Sequence, residues 1–253
     1  MRRSEVERRI VAELANPSSG LLHVATVNPE YIVSAHRDQA FREALAGAAL
    51  AVADGVGVVA AVRVLCSLEV ERVTGVDLVE SLFSIAPQDP LRMFLLGNAA
   101  SIAEIHGRHP SRVVGRWGGG SIEPEDDAES IERIRERGAD VVLVGYGAPG
   151  QVLWIERNRH GLTDAGVKLA IGVGGALDFA AGTVERAPRI LRRFGLEWAY
   201  RLLREPWRWR RQLALPVFTV MVLRAWLLLR LRKEDGACRI LAHDGESNQH
   251  HLQ

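Results

Sequence analysis

The chain has 253 residues and is 47% hydrophobic, which is enough to bury an ordinary core and excludes a disordered polypeptide. Its formal net charge of +1 hides an asymmetry: residues 1–185 carry 18 basic against 25 acidic side chains, residues 186–233 carry 13 against 2, and the remainder 1 against 4. An acidic body joined to a strongly basic arm points to an anionic partner: a membrane surface, a nucleic acid or a phosphorylated substrate.

The opening "MRRSEVERRIVAELANPSSG" reads as a short polar helix and lacks an apolar stretch of signal-peptide length. Apolar runs then alternate with helical spacing. Strands are expected at 21–27 (LLHVATV), 48–53 (AALAVA), 91–97 (LRMFLLG), 111–117 (SRVVGRW), 139–147 (ADVVLVGYG) and 167–175 (VKLAIGVGG). Between them, "PEDDAESIERIRERG" has acids in its first turn and a closing glycine, which suits the helix dipole and the C-cap. This alternation predicts an α/β fold: a mostly parallel sheet with helices on both faces. Cys66 and Cys238 lie far apart without metal-type spacing and read as reduced thiols of a cytosolic protein.

From Ala187 the composition changes to helical turns rich in Arg and Trp, followed by an apolar stretch from Leu213 to Leu231. As a helix that stretch is about 28 Å long, close to the thickness of a bilayer core. Pro216 interrupts its start and Arg224 sits mid-way. It can lie in the membrane interface, pack against the body or a second copy, or span. The division expected is a catalytic domain over 1–186, a basic helical appendage over 187–233 and a polar, disordered tail over 234–253.

Two segments match a dinucleotide-binding glycine fingerprint, Gly55-Val56-Gly57-Val58-Val59-Ala60 and Gly145-Tyr146-Gly147-Ala148-Pro149-Gly150, and Asp77 stands where a ribose-binding acid would. Asp54, however, would place a fixed anion beside the pyrophosphate, and Pro149 removes a backbone donor from the second loop. Two poor copies do not make a strong fingerprint, and both segments read better as tight strand-to-helix turns of an α/β sheet. Asp54 itself ends a strand, in the crevice where open α/β sheets bind ligands, as a partly desolvated general base or as a helix N-cap.

Thr26 and Asn28 follow the first strand, where Asn28 can cap the helix that Pro29 begins. Arg72 and Asp77 flank a glycine turn and can form a salt bridge or a cap. Gln151 lies in the first turn of a helix, facing either the crevice or solvent. Gly172, Gly174 and Gly175 allow backbone to approach a ligand closely, with Asp178 a short way into the next helix as a further substrate-binding candidate.

Taken in order, "TVNPEYIV", "ADGVGVV", "RVTGVDL", "GYGAPGQVLWI", "GVGGALDFAAGTVERAP" and "LEWAYRLLREPWRWRR" resemble the bacterial WecG/TagA/CpsF glycosyltransferases over about residues 22–216. The chain departs from the family's usual Lys and Glu at Gly150 and Val152, and its apolar end after Pro216 is longer.

The resemblance implies a Rossmann-like catalytic domain that transfers, with inversion, an N-acetylmannosamine-type sugar from a UDP-sugar to a polyprenyl-diphosphate-linked sugar. The place of action is the inner face of the cell membrane, with peripheral attachment, and the purpose is cell-surface polysaccharide synthesis. It implies Asp54 as catalytic base, Thr26, Asn28, Arg72 and Gln151 around the donor, and Arg201, Arg208 and Arg211 of the appendage at the lipid diphosphate. No D-x-D motif presents a metal, so no metal or cofactor is expected, and arginines and backbone amides would meet the leaving group's charge. Neither is nucleic acid an expected partner, while apolar arm residues leave room for a homo-oligomer. The alternatives are an NAD(P)-dependent enzyme and a non-enzymatic membrane-binding module.

Overall fold

The computed structural model describes residues 1–16, 20–84, 91–188, 190–191, 195–206 and 209–232. The sheet has six strands, β1 (Leu22–Val27), β2 (Leu50–Ala53), β3 (Met93–Leu96), β4 (Val113–Trp117), β5 (Val141–Val144) and β6 (Leu169–Gly172). All pairings are parallel, in the order β2-β1-β6-β5-β3-β4. Each strand falls within an apolar run expected to form one. The inner strands β1, β3, β5 and β6 are buried at every position, whereas the edge strands β2 and β4 each expose a residue. A strand covered on both faces has no solvent side, which is why these runs are continuous rather than alternating.

Helices α1 (Arg3–Ala15), α5 (Gly75–Ser84), α6 (Ala99–Arg108) and α10 (Ala176–Ala180) cover one face, where Ile10, Leu78, Leu82, Ile102 and Leu177 pack on Val24, Leu95, Leu143 and Ile171. On the other face, α7 (Asp127–Arg137), α8 (Gly150–Arg157) and α9 (Arg159–Asp164) bring Ile134, Trp154, Ile155 and Leu162 onto Phe94, Leu96, Val142 and Val144. Beside them, α2 (Pro29–Arg37) and α3 (Gln39–Ala46) pack Tyr31 and Phe41 against Ala25, Val27 and Val152. Helix α7 carries Asp127 and Glu129 in its first turn and closes on Gly138 at φ 57°, as its sequence anticipates.

Helix α4 (Val56–Cys66) follows β2, and the basic arm supplies α11 (Glu197–Arg204), α12 (Trp209–Gln212) and α13 (Ala214–Arg232). Pro216 does not interrupt α13: it lies in the first turn, where a helical N–H has no partner to lose. One side of α13 packs on α2 and α4, with Phe218 buried against Val33, Val58 and Ala61. Val220, Leu223 and Leu231 on the far side are 64%, 58% and 72% exposed. Packing against the body, one of the placements the sequence leaves open, therefore accounts for one side of this helix. By length and composition the 23 residues Trp209–Leu231 suffice to cross a membrane.

Cys66, which ends α4, is disulfide-bonded rather than the free thiol expected, and Cys238 lies outside the described residues. So does the tail over 234–253, expected to be disordered.

Candidate active site

The carboxyl ends of β1, β2, β5 and β6 open into a cavity of about 500 Å³, closed on its outer side by residues of α11, α12 and α13. Such a crevice is where open α/β sheets bind ligands, because strand-to-helix turns converge there and helix N-termini point into it. Thr26, Asn28, Asp54, Arg72, Gln151, Arg201 and Arg211 all line it.

Asp54 follows β2 directly, and its backbone N–H donates to the Val27 carbonyl at 2.7 Å. The N-cap of α4 is Gly55, at φ 152°, with no side-chain cap, so Asp54 does not serve as the cap. Its Oδ2 instead accepts from the Gly75 N–H at 3.3 Å, across the turn that starts α5. Surrounding protein pushes the carboxyl up to about 6, against the Gly75 hydrogen bond and the positive Arg72; Glu197 and Asp77 add to the upward push. The group keeps solvent contact through the cavity it lines. A carboxylate with this environment can accept a proton near neutral pH.

Thr26 Oγ1 donates to the Gly172 carbonyl at 2.9 Å, tying the ends of β1 and β6 together. Asn28 caps α2, its Oδ1 accepting from the Tyr31 N–H at 3.0 Å, with Pro29 in the first turn as the sequence suggests. Gln151 is 3% exposed and so does not face solvent. Its Oε1 accepts from the Gly147 N–H at 3.2 Å and its Nε2 donates to Tyr31 Oη at 2.6 Å. A Cβ at 172 would lie 2.9 Å from Gln151 Cγ and Nε2, so a larger residue there would displace the Gln151 side chain.

Among the described residues, the three arginines that line the cavity each have a carboxylate partner. Arg72 Nη2 is 2.9 Å from Glu197 Oε2, Arg201 Nε donates to Glu205 at 2.8 Å, and Arg211 Nη2 and Nε donate to Glu30 at 2.5 and 3.0 Å. Arg201 also lies 4.7 Å over the Phe179 ring, and among the described residues its buried Nη2 has no hydrogen-bond partner. Arg208 lies outside the described residues.

Asp178 and Asp77 stand apart from these residues. Asp178 does not line the cavity; its carboxylate accepts from Ser101 Oγ at 2.7 Å and ties α10 to α6. The salt bridges and the cap expected at Arg72 and Asp77 are present, with partners from elsewhere in the chain: Arg72 pairs with Glu197, while Asp77 binds Arg186 at 2.7 Å and exchanges capping hydrogen bonds with Thr74 at 3.1 and 3.2 Å.

The first glycine fingerprint also takes a structural role. A Cβ on Gly57 would meet Phe218 Cε1 at 3.4 Å and Pro29 Cγ at 3.5 Å, so the chain's own side chains lie against the glycine that a dinucleotide turn keeps clear for pyrophosphate. Among the described residues, no group of three or more His, Cys, Asp and Glu side chains is placed to hold a metal ion. Sequence reasoning missed Tyr31, Glu30 and Glu197 as cavity residues. Tyr31 and Glu30 stand within "TVNPEYIV", but their partners lie 120 and 181 residues away.

Comparison with known proteins bears on this site. The profile of the glycosyl transferase WecG/TagA/CpsF family matches residues 1–232. An N-acetylglucosaminyldiphosphoundecaprenol N-acetyl-beta-D-mannosaminyltransferase of Bacillus subtilis (strain 168) is 31% identical over 206 residues, 79% of this chain and 78% of that protein. Its namesake in Staphylococcus aureus (strain MRSA252) is 33% identical over 216 residues, 83% of each chain. With a match that spans both the sheet and the basic arm, this chain belongs to the WecG/TagA/CpsF family and is a glycosyltransferase.

Proposed function

We propose that this enzyme transfers an N-acetylmannosamine-type sugar, with inversion, from a UDP-sugar to N-acetylglucosamine linked through diphosphate to a polyprenyl carrier. The relatives' names supply the acceptor and the sugar type. The single observation that carries the mechanism is Asp54: a carboxylate in the cavity at the end of β2, pushed up to about 6 by burial. Asp54 takes the proton of the acceptor hydroxyl as that oxygen bonds to the anomeric carbon, and the bond from that carbon to the diphosphate oxygen breaks with UDP leaving.

Negative charge grows on the departing diphosphate. Arg72, Arg201 and Arg211 line the same cavity, and guanidinium groups bind phosphate oxygens through paired N–H donors. Arg208 belongs with them by its place in the appendage sequence. Thr26, Asn28 and Gln151 hold the donor. Residues 1–186 act as the catalytic domain, and 187–233 as an appendage that meets the lipid diphosphate and attaches peripherally to the inner membrane face. The uncovered apolar side of α13 supports that attachment.

The test is a donor screen: purified protein, a short-chain prenyl-diphosphate N-acetylglucosamine, a panel of UDP-sugars and mass detection of product. Transfer is expected from a UDP-N-acetylhexosamine, with Asp54→Asn slowing it by about 10²- to 10⁴-fold while UDP binding persists. Transfer from no UDP-sugar, or an undiminished Asp54→Asn enzyme, would overturn the assignment.

A further inference from the structure

We infer that Tyr31 is a specificity-determining residue whose hydroxyl donates a hydrogen bond to a neutral oxygen of the sugar bound above Asp54 and Gln151. The inference rests on the glycosyl-transfer reading of the same cavity and adds a contact that the family resemblance does not supply.

The direction of this hydrogen bond follows from the donors and acceptors around Gln151. The Gly147 N–H can only donate, so the amide atom that meets it at 3.2 Å is the oxygen. The amide nitrogen must then face Tyr31 Oη, and at 2.6 Å it donates to the phenol oxygen. Tyr31 is thus an acceptor toward the protein. Its own proton must point elsewhere, and among the described residues no acceptor is hydrogen-bonded to it. Tyr31 lines the cavity.

The phenol is held in place. The residue is 1% exposed, its ring meets Phe41 edge-on at 5.4 Å, and its backbone N–H is fixed by the Asn28 cap at 3.0 Å. Burial, aided by the carboxylates of Asp54 and Glu30, keeps it protonated far above its ordinary range, so it acts as a donor and not as a base. Phosphate oxygens are matched by the arginines of the cavity, whereas a rigid neutral donor suits a neutral acceptor: a sugar hydroxyl or an acyl carbonyl. Sites that hydrogen-bond a substrate oxygen reject analogues lacking it, because the buried donor is left unpaired.

The experiment compares wild-type enzyme with Tyr31→Phe, which keeps the ring. Both are assayed on the parent substrates and on analogues in which each hydroxyl or the acetamido group is removed in turn, first on the donor sugar and then on the acceptor sugar. Tyr31→Phe is expected to lower kcat/KM on the parent pair by roughly 10- to 100-fold. One analogue should be equally poor for both enzymes, which identifies the partner oxygen and says which sugar carries it.

UDP binding measured by calorimetry should be unchanged and confirms that the variant is folded. Equal activity on every substrate overturns the inference, as does a uniform loss across the whole series, which is what a purely structural role for Tyr31 predicts. A wild-type enzyme that moves no sugar is a different failure: it overturns the transferase assignment itself, and this contact with it.

Discussion

Arg72 Nη2 stands 2.9 Å from Glu197 Oε2, with both side chains about four-fifths buried, and this ion pair fastens the C-terminal arm to the floor of the cavity. Glu197 also faces Arg186 at 3.5 Å, which is itself held by Asp77. A second pair of opposite polarity, Arg211 of the arm with Glu30 of the body, closes the far rim. In both pairs a guanidinium suited to phosphate already carries a carboxylate, so on the proposed reading an incoming diphosphate would compete with a protein anion for the same donors.

Replacing Glu197 by Gln removes a negative charge that helps push Asp54 up, while Arg72, which pulls it down, stays. The acid limb of kcat/KM against pH should therefore move to lower pH. UDP should bind more tightly as Arg72 loses its competitor. An acid limb that stays in place, or moves upward, would contradict the role given to Glu197.

Asp54 makes two linked predictions with opposite signs. As a base it must be ionised, so kcat/KM of the free enzyme should rise with pH through about 6 and level off above. For stability the same shift is unfavourable. The folded value lies above the unfolded carboxyl value of about 4, so the contribution is complete below about pH 4 and is lost as pH rises through about 6. Asp54→Asn should accordingly be more stable than wild type at pH 7.5, by on the order of 2 kcal/mol, though nearly inactive. Urea unfolding at pH 4 and pH 7.5 measures this; a variant less stable at pH 7.5 would show that the carboxylate is not strained by its burial.

His23 carries the opposite pH dependence. It is fully buried in β1, with Nδ1 3.4 Å from Glu156 Oε2 and, among the described residues, no partner for Nε2. Burial holds it down to about 4 despite the neighbouring carboxylate. The unfolded chain binds a proton at about pH 6.5 that the folded chain refuses, so stability falls as pH drops from about 6.5 to about 4. His23→Leu should remove about one proton from the pH dependence of unfolding in that window and leave stability at pH 8 little changed. An unaltered slope would mean that acid unfolding begins elsewhere.

The sheet was legible because the inner strands are buried on both faces, which writes them as unbroken apolar runs. The runs expected at 139–147 and 167–175 overshoot β5 and β6, and the excess, Gly145–Gly147 and Val173–Gly175, leaves the sheet at the cavity. Residues near strand ends, such as Thr26, Asn28 and Asp54, could be placed because a turn is a local event. The Arg72–Glu197, Tyr31–Gln151 and Glu30–Arg211 pairs could not: they join segments 125, 120 and 181 residues apart, and no local periodicity encodes which ends meet. Asp178 shows the converse case: a carboxylate next to a glycine turn can serve to tie two helices, as this one does through Ser101.

The last prediction concerns the outer side of α13. Val220, Leu223, Leu227 and Leu231 recur at helical spacing with exposures of 64%, 58%, 52% and 72%, opposite the side on which Phe218 is buried. An uncovered stripe of this kind is unfavourable in water, and burying one leucine in an apolar phase returns about 1.5–3 kcal/mol. Arg224 and Arg230 on the same helix add about 1 kcal/mol each near an anionic leaflet, with their stems free to extend toward the headgroups. The protein should therefore sediment with vesicles containing anionic lipid, less so at high salt. Leu223→Glu combined with Leu227→Glu should weaken that partition at least about tenfold. Neither residue lines the cavity, so transfer to a water-soluble short-chain acceptor should be retained. Vesicle binding that survives the double substitution would place the membrane-facing surface elsewhere on the arm.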